Sequence, residues 1–119
     1  MSYYEGEQRR AAPRVALQVP IAITDPKGNL YVGQTIDISN RGLGASLESV
    51  LPERADYQIA LTLPAHGKTA ATPMEFHAFI IYCTTDPKQP HRLKTGGYFS
   101  QISEHDRHLL DAFLLDRQG

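Results

Sequence analysis

The sequence predicts a mainly β fold: a small six-stranded antiparallel barrel or sandwich with one terminal helix packed on it. Apolar and polar residues alternate through most of the chain, turn residues separate these stretches, and the apolar period becomes helical near the end. With 119 residues, the chain has the length of one domain. Leu, Ile, Val and Phe make up about a quarter of it and the net charge is −1, so we expect it to fold on its own.

The strand predictions follow the alternation and the turns that interrupt it. Residues 15–23 place every second side chain on one apolar face, and Pro20, which cannot donate to a ladder, predicts an edge strand or a bulge. Residues 25–29 contain proline and glycine and predict a hairpin turn. Gly96 and Gly97 predict a bulge or a close backbone approach in the last strand. The other strands are expected at residues 30–36, 43–47, 57–63, 74–84 and 93–102, with residues 65–73 and 85–92 as loops.

The two ends of the chain differ from this pattern. Residues 1–13 are polar and lack an apolar period, which predicts a flexible arm that enters the fold at Pro13. Ser103, with Asp106 three residues on, resembles a helix N-cap arrangement. The apolar residues at helical spacing after this cap are Leu109, Leu110, Phe113 and Leu114.

Composition argues against several classes of function. No apolar run approaches the ~20 residues of a membrane helix, and the first residues lack the regions of a signal peptide, so we expect a cytoplasmic protein without membrane insertion. Cys83 is the single cysteine, which excludes an internal disulfide and a Cys-x-x-Cys metal site. The near-neutral charge argues against binding to DNA or RNA, which normally requires a basic face.

The motifs of common enzymes and metal sites are incomplete. Residues 67–69 match the end of a phosphate-binding P-loop, but Thr62 stands where the motif needs its first glycine. Residues 42–44 lack the third glycine of a dinucleotide fingerprint. His105 and His108 lie one helical turn apart, a spacing that can share a metal ion, but a solvated helix face is the favoured interpretation. No nucleophile, base and orienting group assemble, so we predict no catalytic residue, no metal, no cofactor and no enzyme activity.

Arginines cluster just before the first strand and form the first candidate binding segment. They are Arg9, Arg10 and Arg14. Guanidinium is planar and permanently charged, and its fork of donors matches phosphate oxygens or the O6/N7 edge of guanine. Alone, the segment is typical of a solvated basic arm.

Residues 37–42 form the second candidate segment. In extended geometry Asp37 and Ser39 point the same way, which places a carboxylate beside a hydroxyl. This pair could accept hydrogen bonds from the N1–H and N2 amino groups of a guanine, and Gly42 would let the backbone turn sharply or approach a ligand closely. Alone, the segment is typical of a turn with local hydrogen bonds between side chain and backbone.

Together the two segments resemble the motifs of the PilZ domain, the bacterial receptor module for cyclic di-GMP. Arg-x-x-x-Arg at residues 10–14 precedes the first strand, and Asp-x-Ser-x-x-Gly at residues 37–42 follows the hairpin; both motifs are complete. The resemblance covers about residues 8–116. The closing strand and helix of the family are also similar, at Gly97, Phe99, residues 103–107, Leu110 and Phe113.

The resemblance implies a PilZ-like split barrel of six antiparallel strands with a C-terminal helix. It divides the chain into a flexible N-terminal arm at residues 1–7 and a single domain at residues 8–117. The arginines would bind the guanine edges and phosphates of cyclic di-GMP. The second motif would contact a guanine and stabilise the turn. The ligand-binding residues implied in this way are Arg9, Arg10, Arg14, Asp37, Ser39 and Gly42.

The function that the resemblance implies is that of a cyclic di-GMP receptor without enzyme activity. Its arm would become ordered when one nucleotide, or a stacked pair, binds, and it would signal to an unidentified protein partner that controls motility, biofilm or exopolysaccharide output. The alternative is a PilZ-like adaptor that acts in pilus assembly or motility through protein contacts and binds no nucleotide. Tyr3 and Tyr4 could stack on a base, but we favour ordinary arm residues.

Overall fold

The structure is a computed structural model that describes residues 13–52 and 54–118. Within them, seven strands form one antiparallel sheet and one helix follows. The predicted arm at residues 1–7 lies outside this description. The strands are β1 (Val15–Ala16), β2 (Pro20–Thr24), β3 (Leu30–Ile38), β4 (Gly42–Leu47), β5 (Asp56–Leu63), β6 (Thr72–Asp86) and β7 (Gln89–Gln101), and the helix α1 is Glu104–Gln118.

Six of the strands close into a barrel. Their order around the ring is β3, β2, β5, β6, β7 and β4, and β4 pairs back with β3. The short strand β1 adds to the end of β3 through Val15 and Ala16. The predicted class, a six-stranded antiparallel barrel with a C-terminal helix, is therefore confirmed, with β1 as an additional strand.

The first predicted strand, residues 15–23, is split into β1 and β2. Thr35 of β3 bridges the break, because its Oγ1 donates to the carbonyl oxygen of Leu17 at 2.6 Å and accepts from the N–H of Val19 at 3.0 Å. Pro20 is the first residue of β2, a position where a strand tolerates proline. β2 pairs with β3 and β5, so it is not an edge strand, and the irregularity that Pro20 predicted is the break before it.

The predicted loop at residues 85–92 is wrong, since β6 and β7 continue through most of it. Pro87 and Lys88 alone form the turn, and Asp86 pairs with Gln89 across it. The Asp86 carboxylate accepts from the N–H of Lys88 at 2.9 Å, which closes the turn locally. Pro87 lies in this turn, whereas Pro90 lies within β7, so the connection is shorter than predicted.

Asp25 holds the β2–β3 hairpin at the predicted turn. Its carboxylate accepts from the N–H groups of Lys27 and Asn29, both at 2.9 Å. It also accepts from the side-chain amide of Asn29 at 3.0 Å and from the hydroxyl of Tyr31 at 3.1 Å. Gly28 has a φ of 91°, as a turn glycine can. Burial acts to raise the pKa of the Asp25 carboxyl, but these hydrogen bonds together lower that pKa below its ordinary value of 3.8.

The substitution Asp25→Asn is expected to destabilise the protein at neutral pH and to lose its effect in acid. A carboxyl whose pKa is lowered by folding contributes stability above its unfolded pKa, and that contribution is lost as the pH falls through the folded pKa. Urea unfolding of both proteins from about pH 7 to about pH 2.5 measures this. The difference in free energy of unfolding between the two proteins should be largest at neutral pH and should disappear in acid. A difference independent of pH would contradict the role given to the carboxylate.

The barrel interior and one face of α1 form a continuous apolar core, in which Tyr57 and Phe113 are the largest fully buried side chains. The Ser103 hydroxyl oxygen accepts from the N–H of Asp106 at 3.0 Å, which confirms the predicted N-cap. Phe113 also meets the ring of His66 edge-on, with 5.3 Å between the centroids. In the described part of the chain, no helix combines the length and apolar character needed to cross a bilayer.

Candidate functional site

Asp37 lies on the outer wall of the barrel, within β3. It pairs with Gly44 of β4 and with Ala16 of β1. Its neighbour Ile38 is fully buried in the core, and successive side chains of a strand point to opposite faces, so Asp37 faces outward. The strand predicted at residues 30–36 therefore extends to Ile38, and the connection between β3 and β4 begins at Ser39.

Arg14 and Asp37 form an accessible ion pair. Nη2 of Arg14 donates to Oδ1 of Asp37 at 2.8 Å, and the two side chains are 40% and 33% exposed. The pairing of β1 with the end of β3 brings these residues together from 23 positions apart. Exposed pairs of this kind contribute only about 0–1 kcal/mol to stability, so both groups remain available to another partner.

Ser39 shapes the turn that follows Asp37. Its side chain is buried, and its hydroxyl oxygen accepts from the N–H groups of Arg41 at 3.1 Å and Gly42 at 3.3 Å. Its own N–H donates to the carbonyl oxygen of Gly42 at 2.9 Å. These are the local hydrogen bonds of a turn, and the predicted contact of Ser39 with a ligand stays a prediction.

Gly42 allows β4 and β7 to approach closely. A Cβ atom at this position would lie 2.1 Å from the carbonyl oxygen of Gly97. Among the described residues, the glycines with positive φ are Gly28 and Gly67, so Gly42 does not serve a left-handed turn. A Cβ at Gly97 would in turn lie 2.5 Å from the carbonyl oxygen of Phe79, which confirms the close approach predicted for this part of the last strand.

A row of paired residues crosses the outer wall from Asp37 to Tyr82. Asp37 pairs with Gly44, Gly44 with Gly96, and Gly96 with Tyr82. A Cβ at Gly44 would lie 2.8 Å from Oδ1 of Asp37, and a Cβ at Gly96 would lie 2.7 Å from the Tyr82 ring. We call Gly44 and Gly96 the glycine floor. The position of these glycines beside Asp37 does not follow from the sequence pattern, because the register of four strands decides which residues share a row.

Arg107 connects α1 to the turn after β3. Its guanidinium donates to the carbonyl oxygen of Asn40 and lies 5.7 Å from the centroid of the Phe99 ring. The N–H of Phe99 donates to the carbonyl oxygen of Arg41 at 2.8 Å. The turn, β7 and α1 are therefore joined by direct contacts, which no spacing pattern in the sequence indicated.

Two of the predicted site residues, Arg9 and Arg10, lie outside the described residues, and their roles stay predictions. Across residues 13–52 and 54–118, no group of three or more His, Cys, Asp or Glu side chains could hold a metal ion. The structure thus brings together Arg14 and Asp37, places Ser39 and Gly42 in the adjoining turn, and adds the glycine floor.

Comparison with known protein families gives one match over most of the chain. The family profile of the PilZ domain matches residues 8–116. The chain belongs to the PilZ domain family. A search of curated protein sequences finds no match.

Solved structures share the fold of this PilZ domain. The inhibitor of motility MotI/DgrA of Bacillus subtilis has a TM-score of 0.78 at 21% identity, over 93% of this chain and 52% of that chain. The PilZ domain of YcgR from Escherichia coli with cyclic di-GMP has a TM-score of 0.65 at 19% identity, over 93% and 92%. A longer YcgR chain in complex with cyclic di-GMP has a TM-score of 0.71 at 17% identity, over 90% and 45%. Our chain thus spans about half the length of MotI/DgrA and of the longer YcgR chain.

Proposed function

We propose that this PilZ domain is a receptor for cyclic di-GMP that binds its ligand on the outer wall at Arg14 and Asp37. The observation that carries the proposal is the accessible ion pair between these side chains, 2.8 Å long and beside the glycine floor. Family membership, and the two YcgR structures that contain cyclic di-GMP, support the choice of ligand.

Each group of the pair matches a different part of the ligand. The Asp37 carboxylate can accept two hydrogen bonds, from the N1–H and the N2 amino group of one guanine. The Arg14 guanidinium can donate two parallel hydrogen bonds to phosphate oxygens or to the O6/N7 edge of guanine. Binding would exchange one screened surface ion pair for several charge-assisted hydrogen bonds, which is a favourable exchange.

Arg9 and Arg10 complete the positive charge that the ligand needs. Cyclic di-GMP carries two phosphates, whereas Arg14 supplies a single positive charge that Asp37 offsets. Arg10 lies four positions before Arg14, so the N-terminal segment would bring its arginines from one side of the ligand. We infer that this segment becomes ordered over the bound nucleotide, and that the ordered segment is the surface a protein partner reads.

A second route to a partner runs through α1. The Arg107 guanidinium donates to the carbonyl oxygen of Asn40 and lies over the ring of Phe99. A shift of the turn after β3 on ligand binding would therefore change the contacts of the helix. Ser39 and Gly42 position the turn, and through it Asp37. The receptor would signal through protein contacts and needs no reaction at the ligand.

Calorimetric titration of the purified protein with cyclic di-GMP tests the proposal. We expect saturable heat, with a molar ratio that distinguishes one bound nucleotide from a stacked pair. Cyclic di-AMP is the matched control, because adenine lacks the N1–H and N2 amino donors that Asp37 would accept, and it should bind much more weakly. Affinity for cyclic di-GMP should fall as salt is raised, since phosphates meet guanidinium groups.

The absence of heat up to high micromolar cyclic di-GMP would overturn the receptor function. The PilZ-like adaptor that binds no nucleotide would then be the better account, and a search for its protein partner would follow. Equal affinity for cyclic di-AMP would instead contradict the role of Asp37.

A further inference from the structure

Tyr82 is an exposed aromatic residue at the far end of the row that begins at Asp37. Its side chain lies over Gly96, since the atoms nearest to a Cβ at that position are Cε2, Cζ and the hydroxyl oxygen of Tyr82, each at 2.7 Å. The tyrosine therefore reaches from β6 across β7, toward β4 and the glycine floor. It nevertheless stays 40% exposed.

A β-bulge turns Tyr82 to the outer wall. Ile80 points into the core and is 1% exposed, and in a regular strand the residue two positions on would also point inward. Ile80 pairs with Gly97, and Tyr82 pairs with the adjacent residue Gly96, so Ile81 is an extra residue on β6. After this residue, the side chains that would have pointed inward point outward. Bulges re-aim side chains and are frequent beside functional sites.

Tyr82 also differs from the neighbouring aromatic residues of the same wall. Phe79 and Tyr98 stack on each other, with 5.7 Å between centroids and 26° between ring planes. Within the described residues, Tyr82 forms no such ring pair. Its ring is therefore open to a planar ligand, whereas the ring of Tyr98 already has a partner.

We propose that Tyr82 is a ligand-contacting residue whose exposed ring stacks on a guanine base held by the Asp37 carboxylate. This inference rests on the proposed function and extends its site from β3 to β6. The Asp37 carboxylate lies over Gly44 and the Tyr82 ring lies over the neighbouring Gly96, so one base can meet both groups. Neighbouring strands lie about 4.8 Å apart, so the glycines beneath the carboxylate and the ring are about that far apart, a distance that one purine can bridge.

Titration of four proteins with cyclic di-GMP tests this role: the wild type, Tyr82→Ala, Tyr82→Phe and Tyr98→Ala. Loss of one base–aromatic stack weakens binding by about 5-fold to about 150-fold, and we expect this for Tyr82→Ala. Tyr82→Phe keeps the ring and should stay within about threefold of the wild type. Tyr98→Ala is the matched control, a tyrosine of similar exposure on the same wall, and should also stay within about threefold. Urea unfolding shows that each variant is folded.

A spectroscopic measurement distinguishes stacking from a general effect on the site. Guanine stacked on the ring should shift the Tyr82 ring-proton resonances upfield when cyclic di-GMP is added, with Tyr82→Phe used to assign them. Gly96→Ala should weaken binding as well, because its methyl group would displace the Tyr82 ring, whose atoms are the nearest to it at 2.7 Å. Both effects follow from the position of the ring over Gly96.

The outcomes separate this inference from the proposed function. Wild-type binding with unchanged affinity in Tyr82→Ala would overturn the inference and leave the receptor function standing. Equal weakening in Tyr98→Ala, or ring resonances that do not move, would also overturn it. Absence of binding by the wild type would overturn both.

Discussion

Arg14→Ala should weaken cyclic di-GMP binding by about a hundredfold, near the upper end of the ~1–3 kcal/mol that a bidentate contact supplies. The loss is large because the change removes donors to the ligand and also leaves the Asp37 carboxylate without its partner at 2.8 Å, an uncompensated negative charge toward an anionic ligand. Stability should change by less than about 1 kcal/mol, since the pair is exposed. Calorimetric titration and urea unfolding measure the two effects separately.

Two controls make the Arg14 experiment specific. Arg54→Ala removes the same charge from an exposed position between β4 and β5, and it should leave the affinity within about threefold of the wild type. Arg14→Lys keeps the charge without the planar fork, so its affinity should fall between those of the wild type and Arg14→Ala. Unchanged affinity in Arg14→Ala would remove Arg14 from the site.

Gly42→Ala should destabilise the domain by about 2–4 kcal/mol, a large share of the 5–15 kcal/mol typical of a domain. Its Cβ atom would lie 2.1 Å from the carbonyl oxygen of Gly97 and 2.9 Å from the Cα of Tyr98, so β4 and β7 would have to separate. Both contacts are with backbone, which cannot move aside as a side chain can. Urea unfolding measures the loss, and binding should fall with it because the Ser39–Gly42 turn moves.

Gly67→Ala is the matched control for this substitution. A Cβ at Gly67 meets nothing within 4 Å, but its φ of 52° is unfavourable for alanine, so we expect a loss of about 1 kcal/mol. If Gly42→Ala cost no more than Gly67→Ala, the close approach of β4 and β7 would not be the reason for glycine at position 42.

Local chemistry made much of this fold predictable. Alternation located the barrel strands, the Asp25 turn gave its hairpin, and Ser103 capped the helix, because each signal acts over a few residues. The motifs also predicted Arg14 and Asp37 for one site; β1 brings the two side chains into contact, and their contact with a ligand stays a prediction.

Features that depend on several strands could not be predicted. The break between β1 and β2 arises because Thr35, far along the chain, bonds with Leu17 and Val19. The outward position of Tyr82 depends on a bulge, and its place opposite Asp37 depends on three strand registers. Sequence alternation determines which side of a strand is apolar, but it does not determine which residues of distant strands share a row.

The most direct test of a cyclic di-GMP site on this wall is amide chemical-shift mapping of ¹⁵N-labelled protein during titration with the nucleotide. The site predicts large shifts at the amides of Asp37, Gly44 and Gly96, and little change at Ala22 and Ala60, which pair with each other on β2 and β5. Shifts confined to Ala22, Ala60 and their neighbours, with Asp37 and Gly44 unchanged, would contradict it.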